Sequence, residues 1–224
     1  MSITHLVIHH SAFQSNTDQF DSINYWHKTR NWGTDKNPIY ASKNSRGNFI
    51  QYTYLIERSG QIKQCRNEDE AGWHCGDREI NNNSVSICLA GNFDIEYPNE
   101  NQVKSLRELL TKLMEKHKIK VEDILYHRDI KPTHCPGTNI KDDFIKKLFM
   151  KYIIIGQQQY LIYEPLKLAF NIGDPQDLTM LMSQGLDLRP EQWAGLPDEY
   201  AIFNMTSQSR IRKLIEELKD ALNI

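Results

Sequence analysis

Two short stretches of the chain carry side chains that could bind a metal ion. One is His127-Arg-Asp-Ile-Lys-Pro-Thr-His-Cys135, which places a histidine and a cysteine eight residues apart. The other is Leu6-Val-Ile-His9-His10, an apolar run that ends in a pair of histidines. Two imidazoles and one thiolate are a typical protein ligand set for catalytic zinc, with water in the fourth position. The residue types therefore indicate a zinc site that takes His127 and Cys135 from the loop and one histidine from the apolar run.

The elements around these residues interleave strands with helices. Alternating apolar residues predict a strand over 3–9 that ends at His9. An apolar stripe predicts a helix over 102–117, and the polar, glycine- and asparagine-rich stretch 33–51 predicts a loop that walls one side of the cleft. Further strands are predicted over 52–58, 61–65 and 84–90, and further helices over 16–32 and 142–150. This order predicts an α/β or α+β domain with a mixed central sheet flanked by helices.

Five blocks of the sequence together resemble the zinc-dependent N-acetylmuramoyl-L-alanine amidases, the family that includes phage amidase lysozymes and peptidoglycan recognition proteins. They follow the family's order over about residues 3–148, and they are Val7–Ala12, Tyr52–Gly60, Ala71–His74, Asn83–Phe93 and His127–Cys135. The resemblance implies that His9, His127 and Cys135 bind Zn²⁺ and that peptidoglycan is the substrate. It also implies hydrolysis of the amide between N-acetylmuramic acid and the L-alanine of the stem peptide, as in an endolysin.

The resemblance also implies roles for other side chains. Tyr52 matches the active-site tyrosine and would stabilise the oxyanion, while Thr133 matches a polar position that would assist it. Trp73 and His74 match a cleft-lining segment, where an aromatic face can stack on sugar or peptide.

The side-chain chemistry of three more residues suggests roles in or near the site. Arg66 could bind a stem-peptide carboxylate with two hydrogen bonds, or form a structural salt bridge instead. His134 neighbours Cys135 and would line the cleft or orient the loop. Strand alternation places His10 on the face opposite His9, so we expect it to pack or hydrogen-bond there.

Three alternative functions stay open. Non-catalytic peptidoglycan-binding relatives typically lose a zinc ligand, whereas this chain keeps all three. Recycling amidases carry a catalytic glutamate in the strand equivalent to 84–91, where this chain has no carboxylate. An antibacterial effector of the same superfamily would share the whole site.

Composition narrows the classes of partner. The chain has 224 residues, 39% of them hydrophobic, and a net charge of −2, so no basic excess points to nucleic acid or to an anionic membrane surface. No apolar run reaches the ~18–20 residues of a membrane span. The N-terminus has no signal-peptide pattern, so we expect synthesis in the cytoplasm and action on the cell wall after release or export.

Three cysteines besides Cys135 argue against a disulfide framework, although Cys65 and Cys75 could pair.

The resemblance ends near Lys151, which divides the chain into a catalytic domain over 1–150 and a small domain over 151–224. A hairpin is predicted over 152–163, and helices are predicted over 165–172, 175–184 and 209–222, so the appendage is expected to be mainly helical. We expect it to bind the wall or to set stem-peptide specificity, with self-association as the alternative.

Overall fold

A five-stranded mixed sheet organises the first of two compact units, Met1–Asp142, in a computed structural model that describes residues 2–163, 168–172, 190–192 and 201–205. The strand order is β3-β2-β4-β1-β5. β1, β2, β4 and β5 are parallel, and only β3 is antiparallel to its neighbour β2. The strands are β1 (His5–His10), β2 (Tyr54–Ile56), β3 (Ile62–Gln64), β4 (Ser84–Leu89) and β5 (Ile124–Tyr126). The predicted mixed sheet is confirmed.

The central strands are apolar because both faces of the sheet are covered. Every residue of β4 and all but the first of β1 are buried, as expected for parallel strands in an α/β fold. β2 and β3 form the predicted hairpin, with Gly60 at φ +88° in its turn. Neighbouring strands in register share a face, so His9 lies beside Cys88 on the sheet.

The helices of this unit are α1 (Phe20–Thr29), α2 (Arg78–Asn83), α3 (Glu100–His117) and α4 (His127–Ile130). α3 confirms the helix predicted over 102–117 and begins at a capping box formed by Asn99 and Gln102. α1 is shorter than the predicted helix over 16–32, and the short helices α2 and α4 were not predicted. Residues 33–51 contain no helix or strand, as predicted.

A buried carboxylate fixes the start of α1. Glu57 directly follows β2 and is fully buried. Its oxygens accept the backbone N–H groups of Gln19 and Phe20 at 2.7 and 3.0 Å, and Lys63 pairs with it at 3.0 Å. These bonds satisfy helix-terminal donors that would otherwise be unpaired. The sheet thereby holds α1 at its first residue.

The four cysteines are free in the described residues. Cys65 and Cys88 belong to one buried cluster with Ile23, Ile50 and Leu55. Cys75 lies elsewhere and its thiol approaches Asn81 at 3.2 Å. The four thiols form no disulfide with one another in the structure, and Cys65 and Cys75 are not paired.

The second unit, Asp143–Ile224, contains a short helix and a second five-stranded sheet of order β10-β8-β7-β6-β9. Its described elements are α5 (Phe144–Leu148), β6 (Met150–Ile155), β7 (Gln158–Tyr163), β8 (Leu168–Ile172), β9 (Pro190–Gln192) and β10 (Ala201–Met205). β6 and β7 form the predicted hairpin. The helix predicted over 142–150 is reduced to α5 because Met150 already begins β6.

The prediction of a helix over 165–172 is wrong for 168–172, which form β8. This segment pairs antiparallel with β7 and parallel with β10, and the side chains of Ala169 and Ile172 are buried. Pairing with an apolar neighbour strand outweighs helix propensity in so short a segment. The described part of the unit is thus a sheet and not mainly helical. The helices predicted over 175–184 and 209–222 lie outside the described residues.

Among the described helices, none combines the length and the apolar character needed to cross a lipid bilayer.

Candidate active site

His9, His127 and Cys135 come together as one cluster. β1 and β5 are parallel and pair Ile8 with Tyr126, so His9 in β1 and His127, which directly follows β5, lie at the same level. The turn after α4 brings Cys135 back, and the Arg128 N–H donates to the Cys135 carbonyl at 2.9 Å. The possible ligand atoms of the three residues all lie within 4.8 Å of one another.

Hydrogen bonds orient the His9 ring. Its Nδ1 lies 3.6 Å from Cys135 Sγ, and its Nε2 lies 3.0 Å from Nδ1 of His74. His74 in turn forms a hydrogen bond through Nε2 to the Ser84 hydroxyl at 3.2 Å. Metal-binding histidines commonly have their second ring nitrogen fixed in this way. His9 is therefore held with Nδ1 toward the cysteine.

Burial keeps this cluster uncharged. It lowers the pKa of His9 well below the usual value, an effect that His74 and His127 reinforce, and it lowers the pKa of His74 to about 3. Burial also raises the pKa of the Cys135 thiol to about 12, against an opposing hydrogen bond from the His10 N–H. The imidazoles are neutral, and the thiol ionises only when a cation compensates its negative charge. Such a set of donors suits Zn²⁺. The residues present fit a zinc ion.

A cleft of about 690 Å³ opens beside the cluster. Five of the predicted site residues line it, namely Tyr52, Trp73, His74, His127 and Thr133. The Tyr52 ring is half-buried, and its centroid lies 5.1 Å from that of His9. Burial raises the pKa of Tyr52 well above its usual value, and the Cys88 thiol, with which its hydroxyl interacts, adds to the shift. Tyr52 is therefore a neutral O–H donor.

Close backbone packing explains the glycine of the Ala71–His74 segment. A Cβ atom at Gly72 would lie 2.0 Å from the backbone oxygen of Gln51, so no larger residue fits without moving the backbone. The Trp73 N–H also donates to Gln51 Oε1 at 3.1 Å. Gly72 thus lets this segment approach the loop before β2 and places Trp73 and His74 on the cleft.

Two predicted substrate-binding residues lie away from the main cleft. Arg66 donates to the carbonyls of Ile50 and Ala71 at 3.2 and 2.8 Å and pairs with Glu70 at 3.1 Å. It faces a separate cavity of about 160 Å³ that residues 40–44 of the long loop also line. The His134 side chain is 80% exposed and lies 4.0 Å from Asp94, and it does not line the main cleft.

The structure also shows the contacts of His10 and Asp129. His10 accepts the Phe93 N–H through Nδ1 at 3.2 Å, which confirms that it hydrogen-bonds on the opposite face. The Asp129 carboxylate accepts the Tyr126 N–H at 2.7 Å, so it caps α4.

An aromatic wall of the cleft was missed from the sequence. The position of Trp26 and His27 on one face of the helix predicted over 16–32 favours core support for both residues. His27 is buried and accepts the Gln51 N–H at 3.0 Å, but Trp26 is 40% exposed and lines the cleft with Trp32. The interpretation is therefore wrong for Trp26. The remaining polar lining, also not predicted, comprises Arg30, Gln51, Arg78, Asn81, Asn82 and Lys131. Trp26 lies just before the end of α1 and Trp32 just after it. This placement is the sequence feature that could have indicated a shared aromatic surface.

Comparison with known proteins agrees with this geometry. Residues 1–138 match the model of the N-acetylmuramoyl-L-alanine amidase family Amidase_2, and the chain belongs to that family. The endolysin of Klebsiella phage KP32 is 28% identical over 142 residues, 61% of this chain and 82% of that protein. The endolysin of Enterobacteria phage T3 is 29% identical over 125 residues, 53% of this chain and 70% of that protein. Among solved structures, the endolysin N-acetylmuramoyl-L-alanine amidase LysCS from Clostridium intestinale URNW is 30% identical, with a TM-score of 0.50 over 65% of this chain and 82% of that one.

Proposed function

We propose that this protein is a zinc-dependent peptidoglycan amidase of the lytic, endolysin type. It hydrolyses the amide between the lactyl group of N-acetylmuramic acid and the L-alanine of the stem peptide. The observation that carries the proposal is the grouping of His9, His127 and Cys135, with ligand atoms within 4.8 Å of one another beside an open cleft. Membership of the amidase family supports the choice of bond.

Each residue of the site has a chemical task in this reaction. His9, His127 and Cys135 would hold the zinc ion, which would act as a Lewis acid toward the scissile carbonyl and lower the pKa of the attacking water. Tyr52 donates its O–H to the carbonyl oxygen as negative charge develops there. His74 keeps His9 oriented through their 3.0 Å hydrogen bond.

Thr133 stabilises the oxyanion less than a cationic residue at the same position would. Its Oγ1 accepts the Cys135 N–H at 3.2 Å, which leaves the hydroxyl hydrogen free to bond a substrate oxygen. It can orient the substrate, but it cannot neutralise an oxyanion. Trp73, which is 48% exposed on the cleft, offers a face for a sugar ring or a peptide.

Removing the metal tests this proposal. Dialysis against a chelator is expected to abolish hydrolysis of purified sacculi, and about one equivalent of Zn²⁺ per chain is expected to restore it, because three protein ligands define a single site. Mg²⁺ serves as the control and should not restore activity, since it prefers oxygen ligands. Full activity in protein shown to be metal-free by elemental analysis would contradict the zinc mechanism.

We further propose that the second unit binds the cell wall or sets stem-peptide specificity. The family match ends at residue 138, and residues 143–224 form a separate compact unit. A chain ending at Asp142 is expected to hydrolyse soluble muropeptide at a rate close to that of the full protein but to co-sediment less with sacculi. A truncated chain that binds sacculi equally well but loses a dimer in analytical ultracentrifugation would favour self-association instead.

A further inference from the structure

A chain of three hydrogen bonds leads from the metal-ligand cluster to the backbone of α2. His9 Nε2 lies 3.0 Å from His74 Nδ1, and His74 Nε2 lies 3.2 Å from the Ser84 hydroxyl. The Ser84 hydroxyl in turn donates to the carbonyl oxygen of Ile80 at 2.6 Å. We call these three side chains and the carbonyl the hydrogen-bond relay. The three side chains are buried, so their polar atoms depend on one another for partners.

The carbonyl at the end of the relay fixes the direction of every bond in it. A backbone carbonyl can only accept, so the Ser84 O–H donates to Ile80, and the Ser84 oxygen accepts from His74 Nε2–H. Burial lowers the pKa values of His9 and His74, so both imidazoles are neutral. A neutral imidazole has one N–H and one bare nitrogen. His74 Nδ1 is therefore bare and accepts from His9 Nε2–H.

This direction leaves the other nitrogen of His9 without a proton, on the side of the ring that faces the cysteine. That nitrogen, Nδ1, lies 3.6 Å from Cys135 Sγ. A metal ion binds the bare nitrogen of an imidazole, and the hydrogen bond made by the second nitrogen decides which one is bare. The protein itself thus holds His9 in the tautomer that a zinc ion at this cluster requires.

The backbone of His74 is held by the same corner of the fold. Asn81 Oδ1 accepts the N–H groups of His74 and Cys75 at 3.2 and 3.1 Å. Asn81 and Ile80 belong to α2, and Ser84 directly follows that helix. The His74 ring is therefore fixed both at its backbone and at Nε2, which restrains it from turning toward another acceptor.

We propose that Ser84 is a positioning residue that acts through His74 to fix the tautomer of the zinc ligand His9. This inference rests on the proposed zinc site. Ser84→Ala leaves His74 Nε2–H without an acceptor in a buried place, which favours the tautomer with the proton on Nδ1. His74 then donates to His9 Nε2, and the single proton of His9 lies on Nδ1, where it opposes the metal.

Zinc affinity, measured by competition with a chromophoric chelator, tests this role. Ser84→Ala is expected to bind zinc about 10-fold more weakly than the wild type, the size of effect seen for outer partners of metal-binding histidines. Ser84→Thr keeps the hydroxyl and should restore most of the affinity. In a His74→Phe background, Ser84→Ala should cause no further loss, because both substitutions interrupt the same relay.

A second measurement needs no variant. Ring nitrogen chemical shifts, recorded by NMR on the zinc-free wild type, distinguish a protonated from a bare imidazole nitrogen. We expect His9 and His74 each to carry the proton on Nε2, and Ser84→Ala to shift both protons toward Nδ1.

Ser86→Ala is the matched control for Ser84→Ala. Ser86 lies two residues further along β4, on the same face of the sheet, and is also buried. Its hydroxyl accepts the Thr53 N–H at 3.0 Å and lies outside the relay. Loss of this hydroxyl should leave zinc affinity within about twofold of the wild-type value.

Three results would overturn the inference. They are wild-type zinc affinity in Ser84→Ala, an equal loss of affinity with and without His74, and a His9 ring that is protonated on Nδ1 in the zinc-free wild type. A wild type that binds no zinc would count against the proposed zinc site, and the His9 tautomer would still test the relay on its own.

Discussion

Cys135→Ala is expected to lower kcat/KM on peptidoglycan by at least about 1,000-fold and to remove the bound zinc. The substitution takes away the one anionic ligand of the cluster, and zinc contributes several kcal/mol to stabilising charge in the transition state. The thiol lies 3.6 Å from His9 Nδ1, so its loss also leaves the two imidazoles without their third partner. Turnover of a soluble muropeptide, measured together with zinc content by elemental analysis, checks both effects.

Cys65→Ala provides the matched control for this variant. Cys65 is also a buried thiol, but it packs in the apolar cluster under α1 and is not one of the three grouped metal-ligand candidates. We expect it to lose about 1 kcal/mol of stability or less and to retain zinc and activity. A Cys135→Ala protein that melts normally and keeps both its zinc and the wild-type rate of turnover would refute the assigned ligand set.

Tyr52→Phe is expected to lower kcat by about 100- to 1,000-fold with little change in KM. That is the size of effect seen when a single donor to a developing oxyanion is removed. The phenylalanine keeps the ring that packs 5.1 Å from His9 and removes only the hydroxyl. Because the pKa of Tyr52 lies far above its usual value, the wild-type hydroxyl stays protonated through the neutral range, and loss of a phenolate cannot explain the defect.

Tyr54→Phe separates this role from a general effect of losing a phenol. The Tyr54 hydroxyl donates to Glu68 at 2.8 Å and does not line the cleft. Its removal should cost about 1 kcal/mol of stability and leave kcat within about twofold. If Tyr52→Phe instead changes only the melting temperature, the Tyr52 hydroxyl serves its contact with Cys88 and takes no part in the chemistry.

The sequence predicted the parts of this protein that depend on periodicity and on local spacing. The apolar runs of β1 and β4 are strands because parallel, doubly covered strands need no polar face. The apolar stripe of α3 predicted that helix to within two residues at its start. The grouping of His9, His127 and Cys135 followed from the family resemblance, and parallel pairing of β1 with β5 supplies its physical reason.

Other features depend on tertiary contacts that no local pattern records. Whether Trp26 faces the core or the cleft is decided by how α1 packs on the sheet, and Glu57 fixes that packing from a distant strand. As an arginine, Arg66 was predicted to bind a stem-peptide carboxylate or to form a structural salt bridge. In the structure, its guanidinium bonds two backbone carbonyls and Glu70. Residues 168–172 form a strand because β7 and β10 lie beside them.

The identity of the new chain end produced from sacculi tests the central claim most directly. Purified sacculi would be digested with zinc-loaded protein and, in parallel, with Cys135→Ala, and the soluble products would be analysed by mass spectrometry. We predict stem peptides with a free L-alanine amino terminus and glycan strands with intact lactyl carboxylates, both absent from the Cys135→Ala digest. Intact glycopeptides in both digests would contradict the amidase function and would leave a protein that binds peptidoglycan without cleaving it.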